Sequence, residues 1–280
     1  MAGLRRETLE TRVGAVQVAR GGDGPPVVYF HSAQGEGESL VFLERLAERC
    51  TVLAPVFPGF GESQGIEHID DMDDAVFHLL DVWERLGLAT GDGAPCVVGL
   101  SLGGWMAVEL ATRYPDMVGA LVVVNPAGLY IRGHEIKDIF GRSPGALAED
   151  LFYDQSHPVA QMMHALNELT ADVGRRIEIP FEAVKPLVTT MAATAKLAWD
   201  PYLHNPKLER RLWRVRCPTL VVHGAEDRLI PRAHAERYAE LIGDARLVDV
   251  AEGGHMLPWE KPDELANLVL DLLSTRAATA

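Results

Sequence analysis

The decapeptide PCVVGLSLGG, residues 95–104, sets the reading of the whole chain. Its first half is an apolar run of strand length. Its second half passes into a helical pattern that reaches about Tyr114 and is stopped by Pro115. Between them stands Gly99-Leu100-Ser101-Leu102-Gly103, followed by Gly104. A serine in a G-x-S-x-G turn, with a strand before and a helix after, reads as a nucleophile held on a strained elbow. The glycines are needed because Cβ atoms in so tight a turn would collide with neighbouring backbone. The helix that opens at Leu102 offers unpaired N–H groups and a positive dipole end to a developing oxyanion.

A serine hydroxyl is a poor nucleophile without a base, and the base needs a carboxylate to orient it. On a strand–elbow–helix scaffold the expected order is Ser, then acid, then His. Downstream, HGAEDRLIP (223–231) follows an apolar run and places Asp227 in its turn. AEGGHMLPWE (251–260) follows the last such run and places His255, with Gly253 and Gly254 letting the loop reach across the strand ends. Either residue alone carries little signal; order and spacing together select them. Glu226 is the rival acid and reads as a solvated neighbour. A second place for an acid, after the strand that ends at Asn125, holds an amide that cannot offer an imidazolium a full charge.

Working outward, runs 26–30 (PVVYF), 51–56 (TVLAPV), 119–125 (GALVVVN), 219–223 (TLVVH) and 246–250 (RLVDV) also read as strands. Helical patterns fall at 40–49, about 70–86, 102–114, 233–241 and 262–273. Strands apolar on both faces, alternating with helices, imply an α/β chain with a parallel sheet covered on both sides. Asp70, Asp71, Asp73 and Asp74 open one helix, where acid complements the macrodipole. A cation site on Asp70, Asp73 and Asp74 would lack any His or Cys. The alternation breaks once, over 129–215, where the pattern is helical, proline-containing and rich in Met and aromatics. The expected organisation is a core of 1–128 and 216–280, with 129–215 as a helical lid above Ser101.

Composition narrows the function classes. Of 280 residues, 48% are hydrophobic and 24% charged, which is ordinary for a globular chain and excludes disordered, collagenous and coiled-coil types. A formal charge of −14 repels phosphate backbones and anionic membranes, so neither nucleic acid nor membrane is an expected partner. The expected partner is a small-molecule substrate, with homo-oligomerisation left open. Cys50, Cys96 and Cys217 each lie beside a strand and read as buried reduced thiols, which suit the cytoplasm. The opening MAGLRRETLETR has no apolar core and does not read as a signal peptide. The most apolar stretch, 119–131, is interrupted by Asn125 and Pro126 and falls short of the roughly 20 residues a spanning helix needs.

Together these motifs resemble the α/β-hydrolase superfamily over nearly the whole chain. HSAQG at 31–35 is similar to the family's oxyanion loop, PGFGES at 58–63 to its turn after a core strand, and GLSLGG, GAEDRLIP and GGHMLPWEKP complete the set. The resemblance implies a doubly wound, mostly parallel eight-stranded sheet with the lid inserted after the sixth strand. It implies an oxyanion hole made by the backbone N–H groups of Ala33 and Leu102, with His31 holding the loop, and neither cofactor nor metal. The chain departs from the pattern in having His31-Ser32 where His-Gly is usual, and Val56-Phe57 where an aspartate commonly stands. A serine nucleophile argues against the epoxide-hydrolase and haloalkane-dehalogenase branches. The expected activity is serine hydrolysis of a small, largely apolar carboxylic ester, thioester or lactone through an acyl-enzyme. Ser32, Trp199, Ile230 and Met256 are expected to line the pocket. The alternatives are a carbon–carbon bond hydrolase of ring-fission diketones, suggested by Trp259 near His255, a perhydrolase or haloperoxidase side activity, and a ligand receptor that retains the triad.

Overall fold

The computed structural model describes residues 3–36, 40–171 and 181–279. Eight strands form one sheet: β1 (Arg5–Glu10), β2 (Ala15–Gly21), β3 (Pro26–Phe30), β4 (Thr51–Pro55), β5 (Cys96–Leu100), β6 (Ala120–Val124), β7 (Thr219–Gly224) and β8 (Ala245–Val250). Their order across the sheet is β1-β2-β4-β3-β5-β6-β7-β8. The pairs β1–β2 and β2–β4 are antiparallel and all others parallel. The central strands CVVGL, ALVVV and TLVVHG are buried along their whole length. Covering both faces of such strands removes apolar surface from water at about 25 cal/mol per Å². β1, with sequence RRETLE, is polar and half exposed. Charged side chains on an edge strand discourage pairing with another chain.

Register brings the functional loops to one edge. Phe30 pairs with Gly99, Leu100 with Val124, Val124 with Val222, and Gly224 with Val250. The chain therefore leaves β3, β5, β6, β7 and β8 along a common rim, as parallel α/β sheets place their sites.

The helices are α1 (Val41–Ala47), α2 (Met72–Leu86), α3 (Leu102–Arg113), α4 (Pro144–Leu151), α5 (Pro158–Ala171), α6 (Phe181–Ala198), α7 (Arg232–Leu241), α8 (Leu257–Glu260) and α9 (Pro262–Thr279). α1 packs with α8 and α9, while α3 packs on β5 and β6 and meets α2. The acidic cluster serves α2: the Asp71 carboxylate caps it by accepting N–H bonds from Asp73 and Asp74 at 2.8 and 3.0 Å. Among the described residues no group of three or more His, Cys, Asp or Glu is arranged to hold a metal ion. The three cysteines are buried and free. Burial raises the Cys50 and Cys96 thiols and pushes Cys217 up to about 11, so all three are held as unreactive thiols. No described helix is long and apolar enough to cross a membrane.

Between β6 and β7 the chain runs through α4, α5 and α6 and a short 3-10 segment at Glu209–Arg214. The two ends of this insertion are tied together. Gly128 N–H donates to Leu203 O at 2.9 Å, and Asn205 N–H donates to Gly128 O at 3.0 Å. The buried Tyr238 hydroxyl of α7 donates to Ala127 O at 2.6 Å and fixes the same corner.

Candidate active site

The elbow follows from what surrounds its two glycines. A Cβ on Gly103 would lie 2.2 Å from the Phe30 carbonyl oxygen, and one on Gly99 would lie 2.3 Å from Gly103 O. Without side chains there, the start of α3 can press against the end of β3. The cost falls on Ser101, at φ 54° and ψ −113°, a conformation an L-residue adopts only under constraint. That constraint is visible: Ser101 N–H donates to Val124 O at 2.9 Å, and Ser101 O accepts from Trp105 N at 3.0 Å and Ala127 N at 3.2 Å. The residue is 6% exposed at the rim of the sheet.

Asp227 and His255 come from the two loops the sequence singled out. His255 Nδ1 stands 2.8 Å from Asp227 Oδ2, with the side chains 2% and 0% exposed. The other carboxylate oxygen, Oδ1, accepts the N–H groups of Leu229 and Ile230 at 2.8 and 3.0 Å. The acid is thus oriented by its own turn before it orients the ring. Glu226 is exposed, and its backbone N–H bonds Gly253 O at 2.9 Å.

The histidine loop is held from three sides. Asn125 Nδ2 donates to Gly254 O and His255 O at 3.2 and 2.9 Å, while its Oδ1 accepts from Gly224 N at 2.9 Å. Leu151 O, at the end of α4, accepts both His255 N–H and Met256 N–H, at 2.9 and 3.1 Å. The Glu260 carboxylate accepts from Gly254 N at 2.8 Å with one oxygen. Its other oxygen accepts from Tyr153 N and Asp154 N, at 2.7 and 3.0 Å. Sequence reasoning gave Asn125 only as a missing acid and did not single out Leu151 or Glu260.

The loop after β3, where the oxyanion hole was expected, has a structure of its own. His31 Nε2 accepts the Phe57 N–H at 2.9 Å, which leaves its proton on Nδ1. Nδ1–H donates to Ser32 O at 2.8 Å, and burial lowers the pKa of this ring, keeping it neutral. Buried Glu36 sits behind the loop and accepts from Ser32 N, Ser32 Oγ and the Tyr29 hydroxyl. Burial of Tyr29, and then the charge of Glu36, raise the pKa of its phenol. Neither Ala33 N–H nor Leu102 N–H donates to any described residue. Glu36 escaped the sequence reading because a single glutamate in a Gly-rich loop carries no spacing signal.

The four expected pocket residues fare differently. Ser32 is buried with its hydroxyl engaged by Glu36, and Gln34 N–H donates to Ser32 Oγ at 3.0 Å, so this side chain helps to build the loop. Ile230 and Met256 are buried beside Asp227 and His255 respectively. Trp199 does not bury its ring: it is 62% exposed, resting against Phe140 with ring centroids 5.1 Å apart. Trp259 instead stacks on Phe152, linking α8 to the end of α4.

Residues 25–268 match the model of the alpha/beta hydrolase family, and the chain belongs to that family. It is 29% identical over 269 residues to the 2-hydroxy-6-oxo-6-(2'-aminophenyl)hexa-2,4-dienoic acid hydrolase of Metapseudomonas resinovorans, covering 91% of this chain and 86% of that one. A membrane phospholipase A structure superposes with a TM-score of 0.78 at 22% identity, covering 98% of this chain and 87% of that one. The 2-hydroxy-6-oxo-6-phenylhexa-2,4-dienoate hydrolase of Rhodococcus sp. strain RHA1 gives 0.74 at 19%, covering 98% and 100%. The same fold thus carries ester and carbon–carbon hydrolysis in its neighbours. Membership of the family places this chain among hydrolases, and the fold does not choose the bond.

Proposed function

We propose that the chain is a serine hydrolase that cleaves a small, largely apolar carboxylic ester, thioester or lactone. The observation that carries this reading is the 2.8 Å contact of His255 Nδ1 with the buried Asp227 carboxylate, on the rim where Ser101 sits on its strained elbow. Ser101 Oγ attacks the carbonyl carbon as His255 Nε2 takes its proton. The tetrahedral oxyanion is received by the N–H groups of Ala33 and Leu102, which have no partner among the described residues and are each worth about 3–4 kcal/mol in comparable sites. His255 returns the proton to the leaving group, and the acyl-enzyme forms. Water, deprotonated by His255, then attacks the acyl carbon, and the acid departs as Ser101 recovers its proton. Asp227 holds the ring in the tautomer that leaves Nε2 free and stabilises the imidazolium.

A second reading is hydrolysis of a carbon–carbon bond in a ring-fission diketone, favoured by the Metapseudomonas resinovorans relative. The substrate of that relative is a dienoic acid. A carboxylate substrate is disfavoured here by the −14 charge and by Glu36 behind the oxyanion loop. Labelling with a fluorophosphonate probe, then turnover of p-nitrophenyl esters against a 6-phenylhexadienoate, separates the readings. Labelling at Ser101 with ester turnover at least tenfold faster supports the ester reading. Faster dienoate turnover replaces it with the second. Labelling without turnover of either points to a receptor, and absence of labelling removes the nucleophile.

A further inference from the structure

We infer that Glu36 is a positioning residue that sets which backbone N–H the oxyanion loop presents to substrate. This rests on the serine-hydrolase reading and deepens it. Two successive amides, those of Ser32 and Ala33, could in principle point toward Ser101. The Ser32 N–H is taken by Glu36 Oε1 at 2.7 Å, so it is withdrawn. The next peptide is fixed from its carbonyl side, since Ser32 O receives His31 Nδ1–H at 2.8 Å and Gly35 N–H at 3.1 Å. A trans peptide is planar, with C=O and N–H pointing opposite ways. Holding Ser32 O on one side therefore aims the Ala33 N–H to the other, where it finds no described partner.

Glu36 adds what His31 cannot. Its Oε2 accepts the Ser32 hydroxyl at 2.5 Å, and Ser32 Oγ in turn accepts Gln34 N–H. The carboxylate thus grips the residue before Ala33 at two atoms, and the hydroxyl passes that grip to the residue after it. Tyr29, rooted in β3, anchors the carboxylate through a 2.9 Å hydrogen bond. A loop with Ser where glycine would give a freer backbone is in this way locked without a second glycine. Such locking matters because an oxyanion donor acts by being already in place when charge develops.

The test is the pair Glu36→Gln and Glu36→Ala, assayed for kcat and KM on p-nitrophenyl acetate and for the inhibition constant of an aryl trifluoromethyl ketone, which forms a tetrahedral oxyanion on the serine. Thermal melting is followed in parallel. Expected is a fall in kcat of about 10–100-fold, with KM within about twofold, and ketone affinity weakened by the same factor as kcat. Glu36→Gln keeps the volume and serves if Glu36→Ala does not fold. Unchanged kcat and unchanged ketone affinity, whatever the melting temperature, would overturn the proposal, as would a kcat loss with ketone affinity intact. Failure of the underlying reading shows separately: wild-type Ser101 would then resist the fluorophosphonate, and the Glu36 proposal would fall with it.

Discussion

Asn125 Nδ2 donates to the His255 carbonyl at 2.9 Å, from the end of β6 to the loop after β8. The same side chain reaches Gly254 O and accepts Gly224 N–H, so one amide fastens three strand ends. A carboxylate there could accept from Gly224 but could not donate to either carbonyl. The residue is a strut for the histidine loop, and its amide chemistry is what the place requires.

Asn125→Ala leaves an N–H and two carbonyls at buried positions without this partner. A loss of about 1–3 kcal/mol for each group left unsatisfied sets the scale. Thermal denaturation should show a drop of several degrees, accompanied by reduced kcat. Asn125→Asp introduced into an Asp227→Asn background should not restore turnover, since the new carboxylate faces backbone carbonyls.

Asp227→Asn retains an oxygen for the Leu229 and Ile230 amides, so circular dichroism and melting should stay close to wild type. The ring loses its charged partner and its tautomer. Turnover should fall by about 10⁴-fold; a loss smaller than tenfold would move the acid elsewhere, with Glu226 next in line.

The strain at Ser101 is testable through stability. Ser101→Ala and Ser101→Gly should both abolish labelling. The glycine variant relieves a strain of about 1–3 kcal/mol and pays back about 0.5–1 kcal/mol in chain entropy. It should melt about 2–4 °C above the alanine variant. Equal melting temperatures would mean that the strain at the elbow is no larger than the entropy term, about 1 kcal/mol at most.

Stability should fall on mild acidification. Burial lowers His31 and brings His78 from 6.5 to about 4. His78 Nδ1 has no hydrogen-bond partner among the described residues, although the Asp81 charge opposes the shift. Between the two pKa values the unfolded chain binds a proton that the folded chain does not, so stability rises with pH in that window and declines from about pH 6.5 toward 4. His78→Gln should flatten the decline near pH 5 by about 1 kcal/mol per pH unit, read from denaturant midpoints.

Trp199→Ala should cost less than about 1.5 kcal/mol, the scale of one aromatic pair, because most of the ring is already in water. The ratio of kcat/KM between short and long acyl esters should not change. A shift in that ratio would return Trp199 to the pocket.

Five of the six parallel strands, β3 to β7, were legible because burial on both faces demands unbroken apolar runs such as ALVVV, while β8 at the edge showed through Leu247, Val248 and Val250 despite exposed Arg246 and Asp249. β1 and β2 were not located: RRETLE carries its charges on a partly exposed edge strand, and β2 (AVQVARG) interrupts its apolar residues with Gln17 and Arg20. Ser101, Asp227 and His255 could be picked out because glycine-bounded loops at strand ends leave a spacing signature. Asn125, Leu151 and Glu260 act through backbone atoms brought close only by the fold, and Glu36 through the Ser32 amide and the Ser32 and Tyr29 hydroxyls; such partnerships leave no trace in residue spacing. The exposure of Trp199 was not legible, because a large ring suggests burial whereas this one is 62% exposed and rests against Phe140.

The double acceptance at Leu151 O bears on how this family exchanges parts. Recombining the entire 129–215 stretch with that of a relative would discard the carbonyl that receives His255 and Met256, along with the Tyr153 and Asp154 amides bound by Glu260. Splice points set after Asp154 and before the Gly128–Leu203 tie would leave that seam untouched. A workable module for exchange is thus shorter than the 129–215 stretch, and the histidine loop is inherited together with Leu151, Tyr153 and Asp154.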